Sequence, residues 1–320
     1  MIAMIAIAIA AGAASALMFA SIISGALISV VLFYLASLPL MVAAIGWGPL
    51  SAVVGGLAAA VGMAAVLPLS LCFAYVITVA LPACWLGHLA MLGRPVDNTA
   101  SGNGAAPVAP AMEWYPTGRL LLWITVFGIV ITIATLLTLG SDAESIMTAV
   151  KRGLSRIFAL RGMAVEQRTI DAAAAFIPAG IAIGPALTLT INLWLAGKVA
   201  EMSGRLTRPW PDLKTTTLPP MTLVALCVAL AMCFTSGLLA MFAKVTTGAL
   251  LVAYGLTGFA VLHTLTLALR SRAVWLSCSY AVMIVLVWPV LSMVVLGLAD
   301  AVFGFRERFM RTRPPPLTPV

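Results

Sequence analysis

The sequence predicts an all-α fold, a polytopic transmembrane helical bundle with eight or nine spans, and three observations carry that reading. The 320 residues are 62% hydrophobic and only 9% charged, against roughly 25% charged residues in a soluble protein, so most of the surface does not face water. Residues 1–93 contain no Lys, Arg, Asp or Glu, and each such charge at the centre of a span costs about 2.5–3.5 kcal/mol on insertion scales. Apolar stretches near the ~20 residues needed to cross a bilayer then recur almost to the end of the chain.

Taken in order, spans are expected at 2–21, 24–46, 49–67 and 69–92, then at 118–140, 169–197, 218–242, 247–269 and 273–303. The first reads as a retained span: Ala14-Ser15-Ala16 mimics a cleavage site, but the start lacks the basic region of a leader. Gly46-Trp47-Gly48-Pro49 separates the second from the third, and Pro68 opens the fourth. Trp288-Pro289 interrupts 273–303, which reads as one kinked helix or two half-helices because proline removes a backbone donor.

Four regions follow: a four-span apolar module at 1–93, a flexible polar loop at 94–117, a second membrane module at 118–303, and a basic, Pro-rich tail at 304–320. Within the second module, residues 141–160 form an amphipathic helix at the interface. Ser141 and Glu144 read as its capping box, and Ile146, Val150, Leu154, Ile157 and Phe158 share one face away from Lys151, Arg152 and Arg156. That helix is either a surface anchor or a lid over a pocket.

The net charge of +8 does not point to nucleic acid, because the basic residues sit in short connections, where they set orientation by cytoplasmic retention. Lys198, Arg205, Arg208 and Lys214 mark 198–217, and Arg306, Arg308, Arg311 and Arg313 mark the tail. Both regions fall on the cytoplasmic side if 273–303 is a broken pair. Cys72, Cys84, Cys227, Cys233 and Cys278 lie in apolar stretches without a C-x-x-C, so neither a disulfide framework nor a zinc site is expected.

Polar residues inside spans are functional candidates by default. Here they are His88, Asn192, Lys244, His263 and Asp300. His88, Lys244 and Asp300 lie near span ends, where interface anchoring accounts for them. His263 shares its helix with Tyr254, and Asn192 stands four residues after Thr188, so both fit either a solute contact or a bond between helices. Glu113 stands beside Trp114, Tyr115 and Pro116 at the entry to the fifth span, where interface chemistry explains its neighbours but not the acid. The candidate solute contacts are therefore His263, Tyr254, Asn192 and Glu113.

Small residues at every fourth position let helices approach in lipid. Ala52, Gly56, Ala60 and Ala64 make a packing ridge on the third span. Ala6, Ala10 and Ala14 make another on the first, free to receive a partner. No H-E-x-x-H, G-x-S-x-G, Walker motif, paired intramembrane acids or Cys/His cluster is present. No catalytic residue, metal or cofactor is expected, and the chain does not read as an enzyme.

The segments SLPLMVAAIGWGPLSAVVGGL (37–57), AMEWYPTGRLL (111–121), TINLWLAGKVAEMSGRL (190–206), TGFAVLHTLTLALRSR (257–272) and LGLADAVFGFRERF (296–309) resemble the DUF2232 (YybS-like) membrane proteins. The likeness covers nearly the whole chain and is most specific at Asp300, Phe305, Arg306 and Arg308. That family is of uncharacterised function and is grouped with the S-components of energy-coupling-factor transporters. The resemblance implies an S-component-like bundle in a bacterial inner membrane that binds a small organic solute and works with a separate ATPase and a coupling membrane subunit. It also implies that Ala6, Ala10 and Ala14 dock the coupling subunit. The sequence departs from that pattern in having more than six spans and no clear vitamin- or metal-binding signature. The alternative is a membrane scaffold or biogenesis factor that transports nothing.

Overall fold

The computed structural model describes residues 2–96, 111–286 and 288–311. It is a multi-pass, all-α membrane protein with one small hairpin. Among the described residues, six helical stretches are long and apolar enough to cross a membrane: Ile2–Ser24, Leu27–Trp47, Leu69–Ala90, Thr117–Leu137, Gln167–Met202 and Gly237–Leu265. Four more apolar helices, Pro49–Ala64, Met221–Met232, Arg272–Leu286 and Val290–Phe303, are shorter. The chain forms two compact units, Met1–Phe127 with Pro185–Trp210, and Gly128–Gly184 with Pro211–Val320. This division differs from a cut at the polar loop, because Pro185–Trp210 packs with the N-terminal helices.

The first unit is built on α1 (Ile2–Ala20), α2 (Leu27–Tyr34), α3 (Leu38–Trp47), α4 (Pro49–Ala64), α5 (Leu69–Tyr75) and α6 (Leu81–Ala90). Prolines shape it. Pro39 has no N–H for the Leu35 carbonyl, which accepts from Leu38 instead, and the second span breaks into α2 and α3. Pro82 likewise leaves Thr78 without its helical donor, and Val76–Ala80 widens into a π turn between α5 and α6. Gly48, at φ 93°, makes the predicted break before Pro49. Within this unit α1 comes to backbone contact with α4: a Cβ on Gly12 would overlap the Gly55 carbonyl, and one on Gly55 would overlap the Ala8 carbonyl.

The segment read as a flexible loop instead starts and ends in an antiparallel hairpin, β1 (Gly93–Val96) with β2 (Ala111–Trp114), pairing Arg94 with Glu113. Alternation is too short there to register as a strand signal, and the pairing rests on cross-strand bonds. The remainder of the expected loop, 97–110, lies outside the described residues, as do 312–320 of the expected tail. The unit is completed by the first part of α7 (Thr117–Leu137) and most of α10 (Ile183–Met202), and Arg205 stacks over the Trp47 ring at 4.5 Å.

The second unit holds the rest of α7, then α8 (Ala143–Leu160), α9 (Gln167–Ile181), α11 (Met221–Met232), α12 (Gly237–Leu265), α13 (Arg272–Leu286), α14 (Val290–Phe303) and α15 (Phe305–Arg311), with α10 spanning Ile183–Met202. The 36-residue Gln167–Met202 stretch is divided at Ala182, three residues before Pro185, which offers no N–H to the Ile181 carbonyl. The expected boundary near 243–246 moves back to 233–236: Ser236 precedes α12, and Gly237 takes a φ of 71°. Trp288-Pro289 separates α13 from α14, the broken-pair alternative.

The α12 helix is the unit's axis. Its glycines let neighbours come to backbone contact: a Cβ on Gly258 would overlap the Met293 carbonyl of α14, and one on Gly248 would overlap the Ala179 carbonyl of α9. The α8 cap is a correction. Asp142, rather than Ser141, accepts from the Glu144 and Ser145 backbone N–H groups, and Ser145 rather than Glu144 closes the box. Ile146 and Val150, on the expected apolar face, enter a core with Leu136, Ala174, Met241 and Val245. The far half of α8 exposes Ile157 and Leu160.

Candidate functional site

The second unit contains a cavity of about 770 Å³ between α11, α12, α14 and α15. Tyr254 and Thr257 of α12 reach its wall, Leu218 and Leu223 give it an apolar side, and Lys214, Arg308 and Arg311 stand at its charged side. A volume of this size is that of an ordinary small-molecule site, typically ~300–1,000 Å³.

Local chemistry fixes the cavity's frame. The Thr222 hydroxyl donates to the Pro219 carbonyl at 2.7 Å, so its bond with Tyr254 Oη at 2.9 Å has the phenol as donor. Tyr254 is thereby locked against α11, with only 1% of its surface exposed. Gly297 brings α14 against the Tyr254 carbonyl, where a Cβ would overlap. Gly304, at φ 64°, ends α14 and turns the chain into α15.

A buried ion pair then closes the frame. Asp300 Oδ2 accepts from Arg306 Nε at 2.8 Å and pairs with Nη2 at 2.7 Å, while Asp300 Oδ1 accepts from the Arg306 backbone N–H at 2.9 Å. Arg306 Nη1 donates to the carbonyls of Lys214 and Thr216 at 2.9 and 2.8 Å. Arg306 thus ties the end of the 198–217 connection to the start of the tail, on one side of this unit. The sequence reading placed Asp300 at a span end, counted Arg306 as tail charge and marked both as the most specific part of the family likeness; it did not pair them, although the spacing Asp300–Arg306 across Gly304 was the available signal.

The four sequence-selected contacts do not converge. Tyr254 alone lines the cavity. His263 lies nine residues later on α12, about two and a half turns away, and so faces the opposite side. There its Nε2 pairs with Tyr280 Oη of α13 at 2.7 Å, and Phe259 stacks on the Tyr280 ring at 5.8 Å. Glu113 and Asn192 belong to the first unit. Glu113 pairs with Arg94 across the hairpin at 2.6 Å, and both side chains are more than half exposed, so the pair adds little stability.

Asn192 sits at the α2–α3 break. Its Nδ2 donates to the Tyr34 carbonyl at 2.8 Å and to Ser37 Oγ at 2.7 Å. A carbonyl only accepts, which fixes the amide orientation, and Oδ1 is buried without a hydrogen-bond partner among the described residues. Beside it Tyr75 Oη donates to Ser15 Oγ, which donates to the Ala36 carbonyl. These side chains satisfy carbonyls that the Pro39 break releases. Ser15, Ser37 and Tyr75 were missed because only strongly polar residues were weighed.

The two small-residue ridges differ. Ala52 and Gly56 are buried, and a Cβ on Gly56 would lie 3.4 Å from that of Ala80, whereas Ala60 is half-buried and Ala64 exposed. The tightest contact uses Gly55, one position over. Ala6, Ala10 and Ala14 are all exposed, while Ala8, Gly12, Ser15 and Phe19 form the buried face of α1. No family model matches the chain, and no curated protein or solved structure gives a significant match.

Proposed function

We propose that this chain is the small-solute-binding, non-enzymatic subunit of an energy-coupling-factor-like transporter in a bacterial inner membrane, a member of the DUF2232 (YybS-like) group. The solute occupies the cavity beside Tyr254, and that cavity is the observation that carries the reading: it is of ligand size, has an apolar side and a cationic side, and is framed by a locked tyrosine and a buried ion pair. His263, Asn192 and Glu113 then hold the scaffold rather than the solute. The span count of eight or nine belongs to the same reading, with the shorter apolar helices completing crossings, and the exposed half of α8 serves as anchor or lid.

Coupling to an ATPase and a membrane coupling subunit runs through Ala6, Ala10 and Ala14, whose small side chains stand outward on α1 and admit a close helix neighbour. The test is affinity purification from native membranes in mild detergent, with mass spectrometry of co-purifying proteins. An ATPase with a membrane coupling subunit is expected, and both should be lost from Ala10→Leu. Recovery with cell-envelope assembly proteins instead, equally in both forms, would replace transport with the scaffold reading. The scaffold is favoured by one observation: Asn192, His263 and Glu113 all find hydrogen-bonding or ionic partners within the chain itself.

A further inference from the structure

The cavity's charges are unequally engaged. Arg306 is spent on Asp300 and on two carbonyls, so it neutralises a buried acid and orders the backbone. Lys214 is held by that backbone clamp, with its Nζ 3.7 Å from Asp212. Arg308 and Arg311 stand three residues apart on α15, on neighbouring positions of one face, and Arg311 reaches Glu307 only at 4.0 Å with 83% of its side chain exposed. With Asp300 and Arg306 cancelling, Lys214, Arg308 and Arg311 meet Glu307 and, beside Lys214, Asp212, so positive charge exceeds negative around the cavity.

The opposite property lies on the cavity's own wall, where Leu218 and Leu223 are apolar and Phe303, at the end of α14, adds an exposed ring. A cavity of about 770 Å³ accommodates a headgroup and the first carbons of a chain. Guanidinium groups donate in forks that match the oxygens of a phosphate, and these charge-assisted bonds are the strong ones.

We propose that the cavity takes a phosphate-bearing anionic amphiphile, with its phosphate group at Lys214, Arg308 and Arg311 and its apolar part along Leu218 and Leu223. This rests on the solute-binding reading above and names the chemical class of that solute. The phosphate has two sources, a membrane phospholipid or a soluble phosphate ester.

The test is native mass spectrometry of the full chain in detergent, equilibrated with phosphatidylglycerol or phosphatidylcholine at equal mole fraction. Phosphatidylglycerol should be retained about tenfold better, and Arg308→Gln with Arg311→Gln should bring it down to the phosphatidylcholine level. Arg152→Gln with Arg156→Gln on α8 is the charge-matched control and should keep the preference, which separates the site from general surface charge. Displacement of the phosphatidylglycerol by excess inorganic phosphate assigns the site to soluble phosphate esters; retention against it assigns the site to lipid. Equal retention of the two lipids by the wild-type chain, or a preference that survives the double arginine change, overturns the proposal. Leu223→Trp, which fills the cavity, distinguishes the two levels: loss of a co-purified molecule without phosphate in that variant leaves solute binding standing and removes the phosphate assignment.

Discussion

Asp300→Asn should unfold the second unit far more readily than its size change implies. The substitution keeps the volume of the side chain, so no packing void opens. An amide has one acceptor oxygen where the carboxylate has two, so either the two guanidinium bonds at Oδ2 or the backbone bond at Oδ1 is replaced by a donor facing a donor. The guanidinium stays buried, with 5% of its side chain exposed, and has lost its counter-charge. Leaving one member of a buried pair alone costs about 3–5 kcal/mol, which at ~2–4 °C per kcal/mol for a domain of this class lowers the apparent Tm by roughly 6–20 °C. Helix circular dichroism during heating in mild detergent reads this directly. Asp300→Leu with Arg306→Met should melt closer to wild type than Asp300→Asn, because the pair itself roughly breaks even against apolar replacements. A melting point for Asp300→Asn within ~1 °C of wild type would refute the claim that this pair frames the cavity.

The remaining expectations concern packing, capping and docking. Gly258→Ala and Gly297→Ala each press a methyl into a backbone carbonyl across α12 and α14 and should cost about 1–3 kcal/mol or more, whereas Gly62→Ala in α4, with open space around it, should be neutral or stabilising; thermal melts of the three compared side by side check this. Asn192→Ala strips the Tyr34 carbonyl and Ser37 of their donor and should cost about 1–3 kcal/mol in the same melts, with no change in the molecules retained by the second unit. The Asp142 carboxyl is held below its ordinary range, first by the Ser145 backbone N–H, then by the Ser145 hydroxyl and the Glu144 N–H. Its contribution to α8 is therefore complete above the ordinary carboxylate pKa and is lost as the pH falls through the lowered value. Hydrogen exchange at the start of α8, corrected for intrinsic pH dependence, should accelerate over that acid window in wild type and show no such window in Asp142→Ala.

The class of fold was legible because absence of charge over 1–93 is a global signal that no local detail can reverse. Breaks at Gly48 and Pro289 were equally legible, each marked by a residue that cannot continue a helix. The α11–α12 boundary was missed although Thr235-Ser236-Gly237 carries a turn signature, because the polar stretch is only three residues long between two apolar runs. The π turn before Pro82 and the break before Pro39 needed a further step, asking which carbonyl each proline leaves without a donor. At the candidate site, Tyr254 was singled out by its polarity inside a span, but the grouping around it was not. Lys214, Arg308 and Arg311 come from two distant connections, and only the Arg306 clamp on the Lys214 and Thr216 carbonyls brings them together. His263 has a hydrogen-bond partner that the sequence did not show: Tyr280 of the next helix, 2.7 Å away.

The most direct test of the central claim, that the second unit holds a solute in its cavity, is native mass spectrometry of the chain purified from its own membranes, wild type against Leu223→Trp and, as a second filling change, Leu218→Trp. The account predicts a discrete bound molecule on the wild-type chain that is missing from both variants while their melting points stay within a few degrees (about 2–4 °C) of wild type. Identical bound masses on all three chains, with the cavity filled in two of them, would contradict it.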